Sequence, residues 1–483
     1  MTLKLHNTLT KTFEEFTSQE QNVKLYTCGP TVYNYLHVGN WAAYIYWDTL
    51  VRTLQANDYT VERVMNITDV GHLTSDADEG EDKLEKGARR EGKTAWQVAE
   101  YYGADFLAGM ERLNLIAPSH ITKATEYIDE QLQLVLKLND LGYTYRIDDG
   151  IYFDTAKFPT YADFAGLDLE AQKAGARVEF NHDKRNPSDF ALWKFTANNE
   201  KRDMEWPTPV ELTNGDVVMG FPGWHLECSA MAMSILGDTI DIHTGGIDHI
   251  PVHHTNEIAQ SEAASGKQFS RFWMHNNHIT SGGTKISKSL GNGYTLDNLT
   301  ERGYNPLDYR MFVLQSHYRS EANFTFDNLT AARNRLKNWR NIAALRHQIH
   351  ATTTGSQAAK HHHDSIPSYA TASALREALN KDLSTPQALQ IIDDAFSQLA
   401  RLPLERIYRP AFIELLDTID QLLGLDLVKS TPDINDDMKQ LILARQRARE
   451  QKDWVKSDEI RAELEAANIA VRDTTTGSVW EYH

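Results

Sequence analysis

Val23-Lys24-Leu25-Tyr26-Thr27-Cys28-Gly29-Pro30, with His37-Val38-Gly39-Asn40 shortly after it, decides the fold. Val23 to Thr27 is an apolar run suited to a buried strand, and Gly29-Pro30 stops it. From about Trp41 a helix follows, because Trp47, Leu50, Val51 and Leu54 recur at three- and four-residue spacing. Tyr59 to Met65 alternates like a second strand and delivers Asn66-Ile67-Thr68-Asp69 at its carboxyl end. Strand, helix and strand in this order make a βαβ unit of an open α/β sheet. Ligands of such sheets bind beyond the carboxyl ends of the strands. That gathers Cys28, the His37 tetrapeptide and Thr68 around one crevice.

Further along, the pattern changes and then returns. Ser75 to Lys86 is strongly charged and reads as a solvated loop or a helix start. A helix from Tyr127 to Leu141 leads into short β-like pieces at Tyr143–Tyr145, Ile151–Phe153 and Gly175–Glu179, which read as an insertion. The βα pattern resumes at Gly223 and ends near Asn292, and beyond Pro306 the chain reads as almost wholly helical. The expected division is 1–117 and 201–295 for the two halves of a Rossmann-type parallel-sheet domain, with 118–200 inserted between them. A helical region (296–350), a polar linker (351–368), a helical bundle domain (369–430) and a small module (431–483) follow. That last block begins with a basic helix and ends in a hairpin-like stretch, Val471 to Trp480.

Cys28 and Cys228 are the only cysteines among 483 residues. His253 and Glu257 stand four apart in a segment that reads as helix, so they share a face. Two thiolates, an imidazole and a carboxylate form a complete set of zinc ligands. Singly, each has a plainer use: a helical His–Glu pair on the surface, or a cysteine as a small buried hydrophobe. A zinc hydrolase is the competing metal reading, and the H-E-x-x-H spacing it favours is absent. His37 precedes a helix start, where imidazole and backbone amides meet phosphate oxygens. Gly39 allows close approach of a ligand. In Ser281-Gly282-Gly283-Thr284-Lys285-Ile286-Ser287-Lys288-Ser289, glycines give mobility and Lys285 and Lys288 suit a triphosphate. His361-His362-His363 lies in the polar linker and reads as a solvated tract. Arg445, Arg447, Arg449, Lys452, Lys456 and Arg461 surround Trp454 on a late helix, a composition shared by solvated helices and by faces for single-stranded nucleic acid.

The net charge of −18 argues against a protein that coats nucleic acid non-specifically. No apolar run is long enough to span a bilayer, and Met1 to Thr10 lacks the hydrophobic block of a signal peptide. A cytoplasmic protein with reduced thiols and no membrane partner is expected.

His37-Val38-Gly39-Asn40 followed by Lys285-Ile286-Ser287-Lys288-Ser289 resembles the paired signatures of class I aminoacyl-tRNA synthetases. Tyr26-Thr27-Cys28-Gly29-Pro30-Thr31-Val32-Tyr33, Asn66-Ile67-Thr68-Asp69, Gly175-Ala176-Arg177-Val178-Glu179, Asp189-Phe190-Ala191-Leu192-Trp193-Lys194, Pro222-Gly223-Trp224-His225-Leu226-Glu227-Cys228-Ser229-Ala230 and Asn256-Glu257-Ile258-Ala259-Gln260 are similar to the cysteinyl-tRNA synthetase family. The likeness covers essentially the whole chain, with Asp382-Leu383-Ser384-Thr385-Pro386 in the helical domain and Ala448 to Trp454 in the anticodon-side module.

This resemblance implies one zinc on Cys28, Cys228, His253 and Glu257, and a cysteine pocket with Thr68, Trp224, His243 and Asp248. It puts His37, Asn40, Lys285 and Lys288 in catalysis, with Gly39, His37 and Lys288 at ATP and its Mg²⁺. It further implies tRNA(Cys), ATP and L-cysteine as substrates of a monomer that works through a cysteinyl-adenylate. The chain departs from the family in three places. Asn40 replaces a histidine, His243-Thr244-Gly245-Gly246-Ile247-Asp248 replaces a run of three glycines before Ser-Asp, and Thr255 replaces a glutamate. Two other functions fit parts of the pattern. One is a cysteine:amino-sugar ligase, which has no use for 433–483, and the other is an RNA-binding paralogue without catalysis.

Overall fold

Alternation and periodicity translate into elements along most of the chain. The computed structural model describes residues 2–18, 20–71, 82–168, 183–197, 202–286, 290–349, 366–474 and 477–482. An amino-terminal hairpin, β1 (Lys4–Asn7) and β2 (Thr12–Glu15), precedes the nucleotide-binding unit. That unit runs β3 (Asn22–Thr27), α1 (Val38–Ala56), β4 (Thr60–Ile67), α2 (Lys83–Glu91), α3 (Ala95–Arg112) and β5 (His120–Lys123). Helix α1 begins three residues before the expected Trp41, because His37 caps it.

After α4 (Ile128–Asp140) an antiparallel sheet forms from β6 (Thr144–Ile147), β7 (Gly150–Phe153), β8 (Phe190–Phe195), β9 (Trp206–Pro207) and β10 (Met219–Pro222). Its order is β6-β7-β8-β10-β9. The insertion expected at 118–200 is therefore shifted at both ends. β5 pairs parallel with β4 and belongs to the first sheet, while β9 and β10 extend the inserted sheet to Pro222. Gly175–Glu179 lies outside the described residues.

The parallel sheet is completed by β11 (Ile240–Gly246) and β12 (Ser270–Asn276), in the order β12-β11-β3-β4-β5. The late strand β11 sits between β12 and β3, so the carboxyl ends of β3, β4 and β11 share one edge. Both faces of the sheet are covered, and the last residues of β3 and β4 are buried. A small sheet of β13 (Ile279–Ser281), β14 (Thr284–Lys285) and β15 (Ala322–Phe324) borders it. β15 is the departure from the helical character expected beyond Pro306.

Helices Pro306–Leu314, Phe326–Ala344, Ile366–Leu379, Thr385–Leu399 and Arg409–Leu423 build the bundle. Ile366–Leu379 starts inside the stretch expected as linker, whereas His361-His362-His363 lies outside the described residues. The bundle is tied to the sheet by a buried charge cluster. Asp48 on α1 accepts from Arg52 and Arg310, and Arg310 Nε donates to Leu423 O at 2.7 Å. The late basic helix is two helices, Asp436–Glu450 and Trp454–Ala466, broken where Lys452 adopts φ +60° and Asp453 caps the second. They pack on the hairpin β16 (Ile469–Thr474) and β17 (Gly477–Tyr482). Arg445 is not part of a free basic face: it is buried and forks onto Asp473 at 2.8 and 3.0 Å.

Candidate active site and metal centre

A cavity of about 890 Å³ opens along the carboxyl edge of β3, β4 and β11. Its rim is made by Tyr33 to His37, Gly39 and Asn40; its floor by Cys28, Thr68, Trp224, Cys228 and His253. Gly29 makes the floor possible, since a Cβ there would fall 1.6 Å from Asn66 O, and Gly29 N donates to Asn66 Oδ1 at 2.7 Å.

At the rim, His37 and Asn40 form a reciprocal cap. The backbone N–H of Asn40 donates to His37 Nδ1 at 3.3 Å, and that of His37 to Asn40 Oδ1 at 3.1 Å. The asparagine thus orders the first turn of α1 while lining the cavity. No acidic residue stands in that turn, so the amino end of α1 faces the cavity with its partial positive charge. Lys285, exposed on β14, also lines the cavity beside Ile286, whose side chain packs against Gly39. Gly282 and Gly283 turn the β13–β14 hairpin with φ +60° and +76°. Lys288 lies outside the described residues.

On the floor, ligand atoms of Cys28, Cys228, His253 and Glu257 all fall within 4.8 Å of one another, and all four residues are buried. Cys28 follows β3 directly. Cys228 lies in the first turns of a helix, Trp224–Leu236, that begins two residues after β10. The expected single helix carrying His253 and Glu257 is instead a π turn, Ile250–His254, that runs into the α-helix Thr255–Ser265. The wide turn aims both His253 and His254 inward. Glu257 reaches His253 Nε2 at 3.0 Å through Oε1 and His243 Nε2 at 2.8 Å through Oε2. His253 uses its other nitrogen toward His225, 2.9 Å between Nδ1 atoms. His254 lies 3.4 Å from Cys28 Sγ and leans on His275 at 2.7 Å, which leans on Thr8 at 2.8 Å. A ring nitrogen facing the donors, with the other fixed by a neighbour, is the arrangement of metal-binding histidines.

The electrostatics match a cation site. Burial pushes the Cys28 thiol up, whereas the hydrogen bond from Cys28, helped by His253, brings Cys228 down to about 6. Burial alone would lower His253, but Glu257 and Cys228 raise it to about 10. Burial likewise opposes ionisation of Glu257, and His243 with His253 outweighs it, holding the carboxyl well below its ordinary value. Glu257 Oε1, although close to His253, receives no well-aligned hydrogen bond. A thiolate and a carboxylate with an under-satisfied buried oxygen, facing one point, are donors that zinc takes. The residues fit the metal.

A second set, Cys28, His243, His254 and Glu257, is equally compact and shares two members with the first. His243 departs from its expected place. Fully buried, it stacks on Trp273 at 4.4 Å and supports Glu257 rather than lining the cavity. Trp224, its ring 4.4 Å from that of His253, does line the cavity, as do Thr68 and Asp248. Thr68 donates to Glu227 Oε2 at 3.1 Å and accepts from Asn66 at 3.0 Å. Glu227, His225, His254 and His275 are the site residues that the sequence did not single out. Glu227 and His225 stand inside the Pro222–Ala230 run, and His254 beside His253; position within a motif was their only signal.

The parallel sheet, the rim signature and the inserted antiparallel sheet define the catalytic domain of a class I aminoacyl-tRNA synthetase. Residues 14–334 match the family model of tRNA synthetases class I (C) catalytic domain, and 431–480 that of the cysteinyl-tRNA ligase anticodon binding domain. The fold is similar to that of a Mycobacterium tuberculosis methionyl-tRNA synthetase solved with methionyl-adenylate, at TM-score 0.59 and 14% identity over 85% of this chain and 93% of that one. In sequence the chain is 39% identical to a Treponema denticola cysteine–tRNA ligase over all of both chains. It is 42% identical to cysteine–tRNA ligase 1 of Burkholderia lata over 99% of this chain and 96% of that one. The chain belongs to the cysteine–tRNA ligase family.

Proposed function

We propose that the chain attaches L-cysteine to tRNA(Cys) through a cysteinyl-adenylate, with zinc held by Cys28, Cys228, His253 and Glu257 to select the thiol. The observation that carries this reading is the convergence of that donor set on the floor of the cavity whose rim is the amino end of α1. In the first step a carboxylate oxygen of cysteine attacks the α-phosphorus of ATP and pyrophosphate leaves. In the second, the terminal ribose hydroxyl of tRNA attacks the activated carbonyl and AMP leaves. Positioning and charge neutralisation dominate the first step. His37, the α1 amino end, Lys285 and Lys288 meet the phosphates with Mg²⁺, and Asn40 keeps His37 in place.

Thr68, Trp224 and Asp248 form the amino-acid side of the cavity, and Asp248 offers its carboxylate to the substrate ammonium. His243 holds Glu257 ionised and oriented. Serine differs from cysteine by one atom, and pocket shape alone separates such pairs by about 1–3 kcal/mol. Zinc on Cys28, Cys228, His253 and Glu257 would supply a thiophilic cation that favours a thiol, which deprotonates readily beside it, over a hydroxyl. In this reading 296–350 is the stem-contact region, 369–430 a helical tRNA-binding domain and 431–483 the anticodon-binding module. Among the described residues no helix is long and apolar enough to cross a membrane. We place the protein in the cytoplasm, as a monomer.

The deciding experiment is ATP–pyrophosphate exchange with cysteine and with serine, followed by charging of tRNA and, separately, of an amino sugar. Cysteine-dependent exchange with tRNA as acceptor is the expected result. Efficient amide formation on the sugar without tRNA charging would overturn the reading.

A further inference from the structure

We propose that an aromatic face beside the cavity mouth, Tyr101 on α3 with Tyr35, stacks the unpaired 3′ nucleotides of the tRNA; this rests on the tRNA-charging reading above. Helix α3 turns Ala95, Val98, Tyr102 and Phe106 inward, yet Trp96 and Tyr101 remain 46% and 47% exposed on its outer side. Trp96 is held by its Nε1 hydrogen bond to Asp203 O at 3.0 Å and by Trp206, but Tyr101 adds nothing to the core that the inner face already supplies. Tyr35 is 38% exposed and belongs to the cavity wall two residues before His37. Its hydroxyl is 2.6 Å from that of Tyr101, and its ring meets Tyr102 edge-on at 5.0 Å. The tyrosines are thus held in fixed orientation, continuous with the cavity in which the terminal ribose must react.

The charge beside the rings suits a nucleic-acid backbone. In a chain of net charge −18, four cations (Lys86, Arg89, Arg90 and Lys93) fall within eight residues at the end of α2. Lys93 Nζ lies 4.6 Å above the Tyr101 ring centroid, and Glu91 fixes Lys93 at 3.2 Å and Arg90 at 2.8 Å. A groove of about 390 Å³ runs past Lys93, Gln97, Glu100, Tyr101 and Ala104. Aromatic faces with adjacent cations bind splayed-out bases, whereas a duplex keeps its bases stacked on one another. The unpaired 3′ end is the part of the tRNA that must come to this mouth.

The test measures binding by the full-length protein of intact tRNA and of tRNA trimmed of its unpaired 3′ nucleotides. Tyr101→Ala should weaken intact tRNA by about 5- to 150-fold, the loss expected for one stacked base. Tyr101→Phe, which keeps the ring, should bind nearly as wild type, and trimmed tRNA should not distinguish the three proteins. Cysteine-dependent pyrophosphate exchange should be unchanged, since Tyr101 does not line the cavity. Unchanged binding of intact tRNA by Tyr101→Ala, or equal weakening of intact and trimmed tRNA, overturns the proposal, as does a loss of exchange. Sedimentation showing a wild-type dimer that Tyr101→Ala dissociates would give the face to a second copy instead. If the wild-type protein binds no tRNA, the charging reading fails with it; if it does and Tyr101→Ala binds equally, only this inference fails.

Discussion

Replacing Cys228 by serine tests which of the two overlapping ligand sets holds the metal. Cys28 and Glu257 belong to both sets, Cys228 and His253 only to one, and His243 and His254 only to the other. Structural zinc in small sites binds with about 10–16 kcal/mol at neutral pH, so an even division among four ligands gives each about 3 kcal/mol. That corresponds to somewhat more than a hundredfold in affinity. The true loss should exceed this share. Cys228 is the sulfur that Cys28 and His253 hold in its ionised form, and a serine hydroxyl does not ionise there. Metal content after equilibration against a graded chelator gives the affinity, with circular dichroism to confirm folding. Wild-type protein should keep about one equivalent at chelator levels that strip Cys228→Ser, and His254→Ala should behave as wild type. Wild-type affinity in Cys228→Ser, together with loss in His254→Ala, would refute the assignment and move the ion to the second set.

Gly109→Ala should destabilise the protein although alanine is the better helix former. A Cβ at that point of α3 would lie 2.4 Å from the Trp41 ring, and overpacking of about 1–3 kcal/mol outweighs a propensity gain of about 1 kcal/mol. The urea midpoint should fall; a rise would show that Trp41 yields freely. Burial raises the Asp69 carboxyl to about 6 despite its hydrogen bonds from Thr125, against about 3.9 in the unfolded chain. The folded state therefore binds this proton more tightly, and its contribution is lost as pH rises through about 6. Asp69→Asn should flatten the decline in stability between about pH 4 and pH 6, and an unaltered slope would exclude Asp69 as its source. Cutting the chain before Asp433 should leave cysteine-dependent exchange nearly intact while transfer to tRNA falls steeply. The cut also exposes Gln348, whose amide brackets the Trp480 backbone at 2.9 Å on both sides, so retained helicity must be checked. Equal charging by the cut and full-length proteins would leave the module without its role.

The βαβ unit was legible because each part repeats a simple period: Val23 to Thr27 as a continuous apolar strand, and Trp47, Leu50, Val51 and Leu54 on one helix face. β9 and β10 were not legible. Trp206-Pro207 and Met219–Pro222 are too short to show alternation, and only the pairing of β10 with β8, and of β9 with β10, identifies them. His253 and Glu257 were found because their spacing suits an α-helix. His254 was missed for the same reason, since adjacent residues point apart in an α-helix and only the π turn brings both inward. His243 was placed on the cavity wall because motif position says nothing of side-chain direction. Arg445 looked like one more surface cation, and its partner Asp473 is too distant in sequence for any local pattern to pair them.

The order of strands in the parallel sheet has a consequence for synthesis on the ribosome. Thr27 of β3 and Thr244 of β11 are neighbours, with their hydroxyls 3.2 Å apart, yet they are 217 residues apart in the chain. Until β11 emerges, β3 is an apolar edge strand with open amide and carbonyl groups, the kind of edge that recruits stray strands. At about 5–20 residues per second that interval lasts roughly 10–40 s. The inserted sheet is made during this wait, but its core is completed by Ala259, Ala263 and Ala264, which follow β11 in the chain. Cys28, translated early, stays apart from its partners beside that open edge until Cys228, His253 and Glu257 arrive, so the four side chains can meet on the floor only once β11 has been made.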